Sequence, residues 1–123
     1  MKNFSLVAVI CLIAFSCNDW RVKKLCGKWQ AAEMIEDEMP VLMDLSMVSL
    51  EFFSNGHYQY NGTLKYHEAG TFSVQGDLLY TLDTINEASS EKAVKIIELS
   101  SDSLFIKMNV EGKVRVVKLF KVK

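Results

Sequence analysis

The chain has 123 residues, a formal net charge of −1, two histidines and three cysteines, and 50% of its residues are hydrophobic. This length fits a short leader and one domain, and the near-zero charge gives no strong positive field of the kind that attracts nucleic acid. The cysteines and histidines follow none of the spacings typical of zinc sites, so we expect no metal, no other cofactor and no nucleic-acid partner.

The first residues have the pattern of a bacterial export signal. Lys2 precedes an almost wholly apolar run over residues 4–14, which is too short to span a bilayer, and the small residue Ser16 stands before Cys17. We expect residues 1–16 to be a signal peptide. The junction resembles the lipobox of bacterial lipoproteins, and this resemblance implies that the thiol of Cys17 is acylated and anchors the protein to a membrane. The alternative is an ordinary secreted protein in which Cys17 has no role.

Residues 17–24 are predicted to form a lipidated tether. Seven extended residues reach only about 25 Å, so the domain that follows must lie close to the membrane. Trp20, with Arg21, Lys23 and Lys24 beside it, suits a lipid headgroup layer. A solvated basic linker accounts for the same residues equally well.

The first strand-like run covers residues 25–31. Leu25, Gly27, Trp29 and Ala31 fall on alternate positions, which is the period of a half-buried strand. The chain then becomes acidic at residues 36–38 and rich in methionine. Met39, Met43 and Met47 are spaced by four residues, and this spacing predicts a loop with one or two helical turns, because it places the three thioethers on one helix face.

Seven further runs alternate between apolar and polar residues, as half-buried strands do. They cover residues 47–52, 57–61, 70–74, 78–82, 93–99, 103–110 and 113–122. Residues 62–68 are ambiguous, because Asn61 and Gly62 either form a hairpin turn or begin a loop, and residues 84–92 are predicted to be a loop. Eight strands without a long helix predict an all-β domain. Closing them into an antiparallel barrel removes both exposed sheet edges.

The order of short motifs along the chain resembles the small lipocalin-like lipoproteins of Gram-negative envelopes. The motifs are a lipobox-like Cys17, Leu25-x-Gly27-x-Trp29, and the stretches over residues 52–58, 69–77 and 99–104. The resemblance implies an eight-stranded up-and-down β-barrel over residues 25–123, lipid anchoring in the cell envelope with the outer membrane favoured, and ligand binding without a common catalytic residue. It also implies that a late basic residue, Arg115 or Lys118, stacks on Trp29.

Seven aromatic side chains are predicted to point into the barrel: Trp29, Phe52, Tyr58, Tyr60, Phe72, Tyr80 and Phe120. One interpretation is a ligand pocket with apolar walls and a few phenol hydroxyls. The other is a core that fills the barrel completely, in which each tyrosine hydroxyl finds a backbone or rim partner.

The first six connections between strands alternate between long and tight, and only the seventh, Glu111-Gly112, is short where a long one would continue the pattern. In an up-and-down barrel successive connections lie at opposite ends, so the tight turns at residues 54–56, 75–77 and 100–102 share the end where the chain enters. The long connections at residues 36–46, 62–68 and 84–92 are predicted to lie at the membrane-distal mouth. There Met39, Leu42 and Met43 would form an adaptable apolar lid. The alternative is that these three residues merely plug the end of the barrel.

No nucleophile stands at a recognisable spacing from a base, so we expect no enzyme. His57, His67 and Glu68 are the only candidates for acid–base or metal chemistry, and exposed strand-end histidines account for them better. The sequence leaves two hypotheses for a monomeric envelope protein. In the first, the barrel binds a small apolar or amphipathic ligand at its distal mouth. In the second, the barrel is solid and its distal loops engage another envelope protein, as an inhibitor or assembly factor.

Overall fold

A computed structural model of the protein describes residues 20–86 and 91–123, so the predicted signal peptide, Cys17 and residues 87–90 of the predicted 84–92 loop lie outside the described residues. Within these ranges the chain forms nine strands, which are β1 Gly27–Glu36, β2 Met39–Pro40, β3 Ser49–Phe52, β4 His57–Asn61, β5 His67–Gln75, β6 Leu78–Asp83, β7 Lys92–Leu99, β8 Ser103–Val110 and β9 Lys113–Lys121. Residues 20–25 are helical. In this described part, no helix is long and apolar enough to cross a membrane.

The strands close into an antiparallel barrel. From β3 to β9 each strand pairs with the next, and β1 pairs with β3 on one side and with β9 on the other. Because the two-residue strand β2 only extends the end of β1, the barrel itself has eight strands. The predicted all-β, eight-stranded, up-and-down barrel is therefore confirmed.

The first long connection differs from the prediction. Asp37 and Glu38 adopt positive φ angles of 48° and 67°, and this turn folds Met39 and Pro40 back onto the end of β1. No helical turn forms over residues 37–48, because the chain reverses before a helix can begin. The ambiguous residues 62–68 contain the 3₁₀ turn Thr63–Lys65, and β5 begins directly after it at His67. Residues 62–66 are therefore a loop between β4 and β5, and residues 67–68 belong to β5.

Two predicted interior residues lie on the outside of the barrel. Residues paired across an antiparallel ladder share a face. Leu79 pairs with the buried Val74, so its neighbour Tyr80, opposite the exposed Ser73, points outward. Both faces of β6 carry apolar side chains. The alternation in the sequence therefore predicted the wrong face of this strand to be buried.

Phe120 is also outside, with 42% of its surface exposed. Its neighbour Leu119 is buried and pairs with the buried Leu104, which fixes the inward face of β9. Phe120 instead contacts Phe105 on the outer surface, where the two ring centroids are 6.1 Å apart.

Residues 20–25 close one end of the barrel, where an extended tether was expected. Leu25 is fully buried, and its carbonyl accepts a hydrogen bond of 2.8 Å from the indole nitrogen of Trp29. The cation over Trp29 is Lys121, whose Nζ lies 4.8 Å from the ring centroid. The expectation of Arg115 or Lys118 was wrong: Arg115 binds Glu36, and Lys118 lies over Phe105.

The tight turns predicted at residues 54–56, 75–77 and 100–102 lie at the same end as residues 20–25, which we call the N-terminal end. The two-residue β8–β9 turn lies at the opposite end. Arg21 donates a hydrogen bond to the carbonyl of Gly76 in the β5–β6 turn. The amide of Lys121 donates to the carbonyl of Asp102 in the β7–β8 turn, at 2.9 Å. The connection over residues 37–48 and the loop before β5 lie at the opposite, distal end, as predicted. The position of the membrane relative to these two ends stays a prediction.

Candidate ligand-binding cavity

The barrel encloses a cavity of about 220 Å³. Its walls are mostly aliphatic, methionine and phenylalanine side chains, namely Met34, Val48, Leu50, Phe52, Leu79, Val94, Ile106, Met108, Val117 and Leu119. Its polar lining residues are Tyr58, Tyr60, Glu68, Thr81, Lys92 and Arg115. Of these, Glu68, Lys92 and Arg115 stand near the distal ends of their strands, so the charged groups surround the distal mouth.

The predicted interior aromatics divide into three groups. Phe52, Tyr58 and Tyr60 line the cavity. Trp29 and Phe72 are buried without lining it, and Phe72 packs edge-on against Phe52 with the ring centroids 4.9 Å apart. Tyr80 and Phe120 point away from it, as described above. Aromatic packing therefore fills the barrel toward the N-terminal end and leaves space in the distal half.

Glu68 is the centre of a hydrogen-bonded group at the mouth. Its side chain is 7% exposed, and its Oε2 lies 2.8 Å from Nζ of Lys92. The hydroxyl of Tyr66 donates to the same oxygen at 2.5 Å, and the hydroxyl of Tyr58 donates to Oε1 at 3.0 Å. A buried carboxylate with three donors is held firmly, because its negative charge is satisfied by hydrogen bonds instead of water.

These contacts shift the pKa values of the group in opposite directions. Burial by itself raises the pKa of Glu68, but the hydrogen bonds from Lys92, Tyr66 and Tyr58 outweigh it and hold the pKa below the ordinary value. The bond to Glu68 raises the pKa of Tyr66 to about 12. Burial, reinforced by the same carboxylate, raises the pKa of Tyr58. At neutral pH the group therefore consists of an ionised carboxylate and two neutral phenols.

Glu36 and Arg115 form a second charged pair at the mouth. Nε and Nη2 of Arg115 lie 3.0 and 2.7 Å from the same carboxylate oxygen of Glu36, and Nζ of Lys113 lies 3.5 Å from the other oxygen. The hydrogen bond from Arg115 lowers the pKa of Glu36. Burial and the nearby Glu68 raise the pKa of Tyr60, which lines the cavity between the two charged groups.

The predicted lid residues are exposed beside the cavity wall. Met39, Leu42 and Met43 are 69%, 96% and 44% exposed. Between them, Val41 packs against the core, and its amide donates to the carbonyl of Met34, a cavity-lining residue, at 2.9 Å. The three side chains therefore do not plug the barrel, and their action as a lid stays a prediction.

The predicted acid–base candidates do not come together. His57 and His67 are both exposed and lie at opposite ends of the β4–β5 pairing. Nδ1 of His67 lies 2.8 Å from the amide oxygen of Asn61. Among residues 20–86 and 91–123, no group of three or more histidine, cysteine or acidic side chains is placed to hold a metal ion.

Sequence reasoning did not anticipate the buried role of Glu68, nor Lys92 as its partner. A signal was nevertheless present, because Glu68, Gly70 and Phe72 alternate along β5, so an inward Phe72 requires an inward Glu68.

No protein-family model matches the sequence, and a search of curated proteins finds no match. Among solved structures, the chain is similar to a lipocalin-like protein from Bacteroides uniformis, with a TM-score of 0.58 and 18% identity, covering 77% of this chain and 97% of that chain. It is also similar to an uncharacterized protein from Bacteroides eggerthii, with a TM-score of 0.60 and 15% identity, covering 80% and 99%. This likeness confirms the expected lipocalin-like barrel, and at these identities it concerns the fold alone.

Proposed function

We propose, from the lipocalin-like fold and its internal cavity, that this protein is a lipid-anchored envelope protein that binds a small apolar or amphipathic ligand. The observation that carries the proposal is the cavity itself, which has apolar walls and a charged mouth at the end opposite residues 20–25. In the proposed arrangement, acylated Cys17 holds the barrel at a membrane, with the outer membrane favoured, and the mouth faces away from the bilayer. The proposed function includes no catalytic step.

The size and lining of the cavity indicate the kind of ligand. A volume of about 220 Å³ is below the range of roughly 300–1,000 Å³ that is usual for drug-sized ligands. A compact apolar molecule therefore fits inside, as does one apolar arm of a larger molecule whose polar part remains at the mouth. Burying such an arm is favourable by about 25 cal/mol per Å² of apolar surface.

The test is native mass spectrometry of the protein purified from membranes and exchanged into detergent. We expect a co-purifying small molecule that disappears when the cavity is filled by a larger side chain. The control is a variant that enlarges a side chain on the outer surface. A protein that carries no small molecule, and that takes up no apolar probe after purification, would count against ligand binding.

A second function is favoured by the distal loops. Large hydrophobic side chains are exposed there in several separate connections, at Met39, Leu42, Met43, Met47, Leu64, Tyr66 and Ile85. Exposed apolar residues gathered at one end of a domain are typical of a contact surface. We propose as the alternative that these loops engage another envelope protein as an inhibitor or assembly factor. A photo-crosslinking residue at Leu42 should then give one discrete protein adduct, and the same residue at the exposed outer-wall position Ser73 should not.

A further inference from the structure

The N-terminal end of the barrel carries an exposed surface of mixed aromatic and basic character. Trp20 is 47% exposed, whereas the other tryptophan, Trp29, is completely buried. The guanidinium carbon of Arg21 lies 5.3 Å from the centroid of the Trp20 ring, and Nζ of Lys24 lies 5.2 Å from the same centroid. An exposed indole between two cations is the composition that is enriched at membrane–water interfaces.

The end of β9 extends this surface. Phe120 and Val122 are 42% and 46% exposed. Lys121 lies between them and donates hydrogen bonds to the carbonyls of Lys24 and Cys26, at 3.3 and 2.6 Å. The last strand and residues 20–25 therefore form one connected surface. We call Trp20, Arg21, Lys23, Lys24, Phe120, Val122 and Lys123 the basal surface.

The charges of the basal surface differ from those at the distal mouth. Within residues 20–86 and 91–123, the cations Arg21, Lys23, Lys24 and Lys123 form no ion pair. At the mouth, by contrast, Lys92, Lys113 and Arg115 are each paired with a glutamate. Two carboxylates near the basal surface have other partners. Asp77 pairs with Lys95, and Asp102 accepts hydrogen bonds from Ser100 and Ser103, which lower its pKa with a smaller contribution from the charge of Lys123. In the described part of the chain, four cations without an ion pair are therefore grouped at the N-terminal end, whereas the other such cations are scattered. The carboxylates Glu51 and Glu98 on the outer wall, which also form no ion pair there, offset this charge only in part.

We infer that the basal surface docks directly on an anionic lipid bilayer, with Trp20, Phe120 and Val122 at the interface and the cations among the lipid phosphates. Two observations select a bilayer as the occupant. Unpaired cations next to exposed apolar rings complement acidic headgroups above an acyl layer. The chain also leaves this surface at Trp20, three residues after Cys17. This inference rests on the proposed function only in that an acylated Cys17 would bring Trp20 close to the bilayer. Docking of the basal surface would in addition orient the barrel, with its cavity mouth directed away from the membrane.

The experiment measures how deeply Trp20 enters the bilayer in the full chain. The protein is bound to phosphatidylcholine vesicles with or without phosphatidylglycerol, and lipids brominated at shallow acyl carbons quench any nearby indole. Because Trp29 is buried, the Trp20→Phe variant gives the background emission. We expect quenching of Trp20 per bound molecule to rise about twofold or more when phosphatidylglycerol is present.

Charge reversal separates docking from simple tethering. The variant with Arg21→Glu, Lys23→Glu and Lys24→Glu should be quenched in anionic vesicles only as much as the wild type is in neutral ones. The control reverses Lys65 and Lys107, which lie away from the basal surface and outside the charged pairs of the mouth, and should behave like the wild type. Equal quenching of all three proteins would overturn the inference. So would a Trp20 that stays unquenched by the lipids and open to a soluble quencher, which is the outcome expected if the surface instead binds a protein that is absent from the assay. The mass of the N-terminus, measured separately, reports whether Cys17 is acylated and does not depend on the quenching.

Discussion

The ammonium group of Lys121 lies 4.8 Å from the ring centroid of Trp29 and 2.6 Å from the carbonyl oxygen of Cys26. This contact joins the last strand to the first at the closed end of the barrel. A Cβ atom at Gly27, where φ is +127°, would lie 2.5 Å from Cε of Lys121. The glycine of the Leu-x-Gly-x-Trp motif thus leaves room for the lysine chain that covers the indole, in a backbone conformation that other residues rarely adopt.

Replacing Trp29 with alanine should lower the free energy of unfolding by about 3–5 kcal/mol, because a fully buried indole leaves a large cavity. The carbonyl of Leu25 also loses its hydrogen-bond donor. Urea unfolding of the two proteins measures the difference. The control is Trp20→Ala, which removes a half-exposed ring and should change stability little. A similar decrease in the free energy of unfolding in the two variants would contradict the placement of Trp29 in the buried core.

Replacing Val94 with phenylalanine should fill part of the cavity. Where free space exists, the larger ring is accommodated at a cost of less than about 1.5 kcal/mol, whereas a filled core would lose about 1–3 kcal/mol to overpacking. Binding of the apolar fluorescent probe N-phenyl-1-naphthylamine should weaken at least about tenfold. Val114→Phe, on the outer wall, should bind the probe like the wild type. Unchanged binding by the Val94 variant would place the probe elsewhere.

The acid dependence of stability should report on Glu68. Its pKa is lower in the folded protein than the ordinary value of 4.5, so its contribution is present above that value and is lost as the pH falls through the folded pKa. Between about pH 6 and pH 3, the free energy of unfolding should therefore fall less steeply in Glu68→Gln than in the wild type. Chemical unfolding at several pH values tests this, with the exposed Glu111→Gln as control. Parallel curves for Glu68→Gln and the wild type would refute the prediction.

Replacing Leu42 and Met43 together with serine tests the lid. Both side chains are largely exposed, so the unfolding free energy should stay within about 0.5 kcal/mol of the wild type. If they cover the mouth, probe binding or partner crosslinking should fall while stability is retained. A large loss of stability would instead mean that these residues complete the core. The Val41→Ser variant is the reference for a loss of stability, because Val41 packs against the core.

Acylation of Cys17 predicts that the protein partitions with membranes and that Cys17→Ala is released into the soluble fraction. Fractionation of the cells and mass spectrometry of the N-terminus measure the two consequences independently. Cys26→Ala is the matched control, because Cys26 lies within the described fold as a free thiol and should not affect partitioning. A soluble wild type with an unmodified N-terminus would reject the anchor.

Much of the architecture was predictable because its signals are local. Alternation with a period of two identified the eight strands of the barrel, and pairs such as Asn55 and Gly56 identified the tight turns. The alternating order of tight and long connections then placed the mouth opposite residues 20–25. Identifying the strands and turns does not require knowing which strands are neighbours in space. Placing the connections also uses the up-and-down order that the lipocalin-like resemblance implies.

What the sequence by itself determined is therefore the barrel, its turns and the end at which a mouth must lie. The tertiary structure alone decided which face of β6 is buried, since Leu79 and Tyr80 are both apolar enough for the core and only the pairing with Val74 selects between them. It likewise decided that Lys121 covers Trp29 and that Glu68 meets Lys92, 24 positions later in the chain. The cavity belongs to this second group, because its volume is the space left after side chains from all eight barrel strands have packed together, and no single strand specifies it.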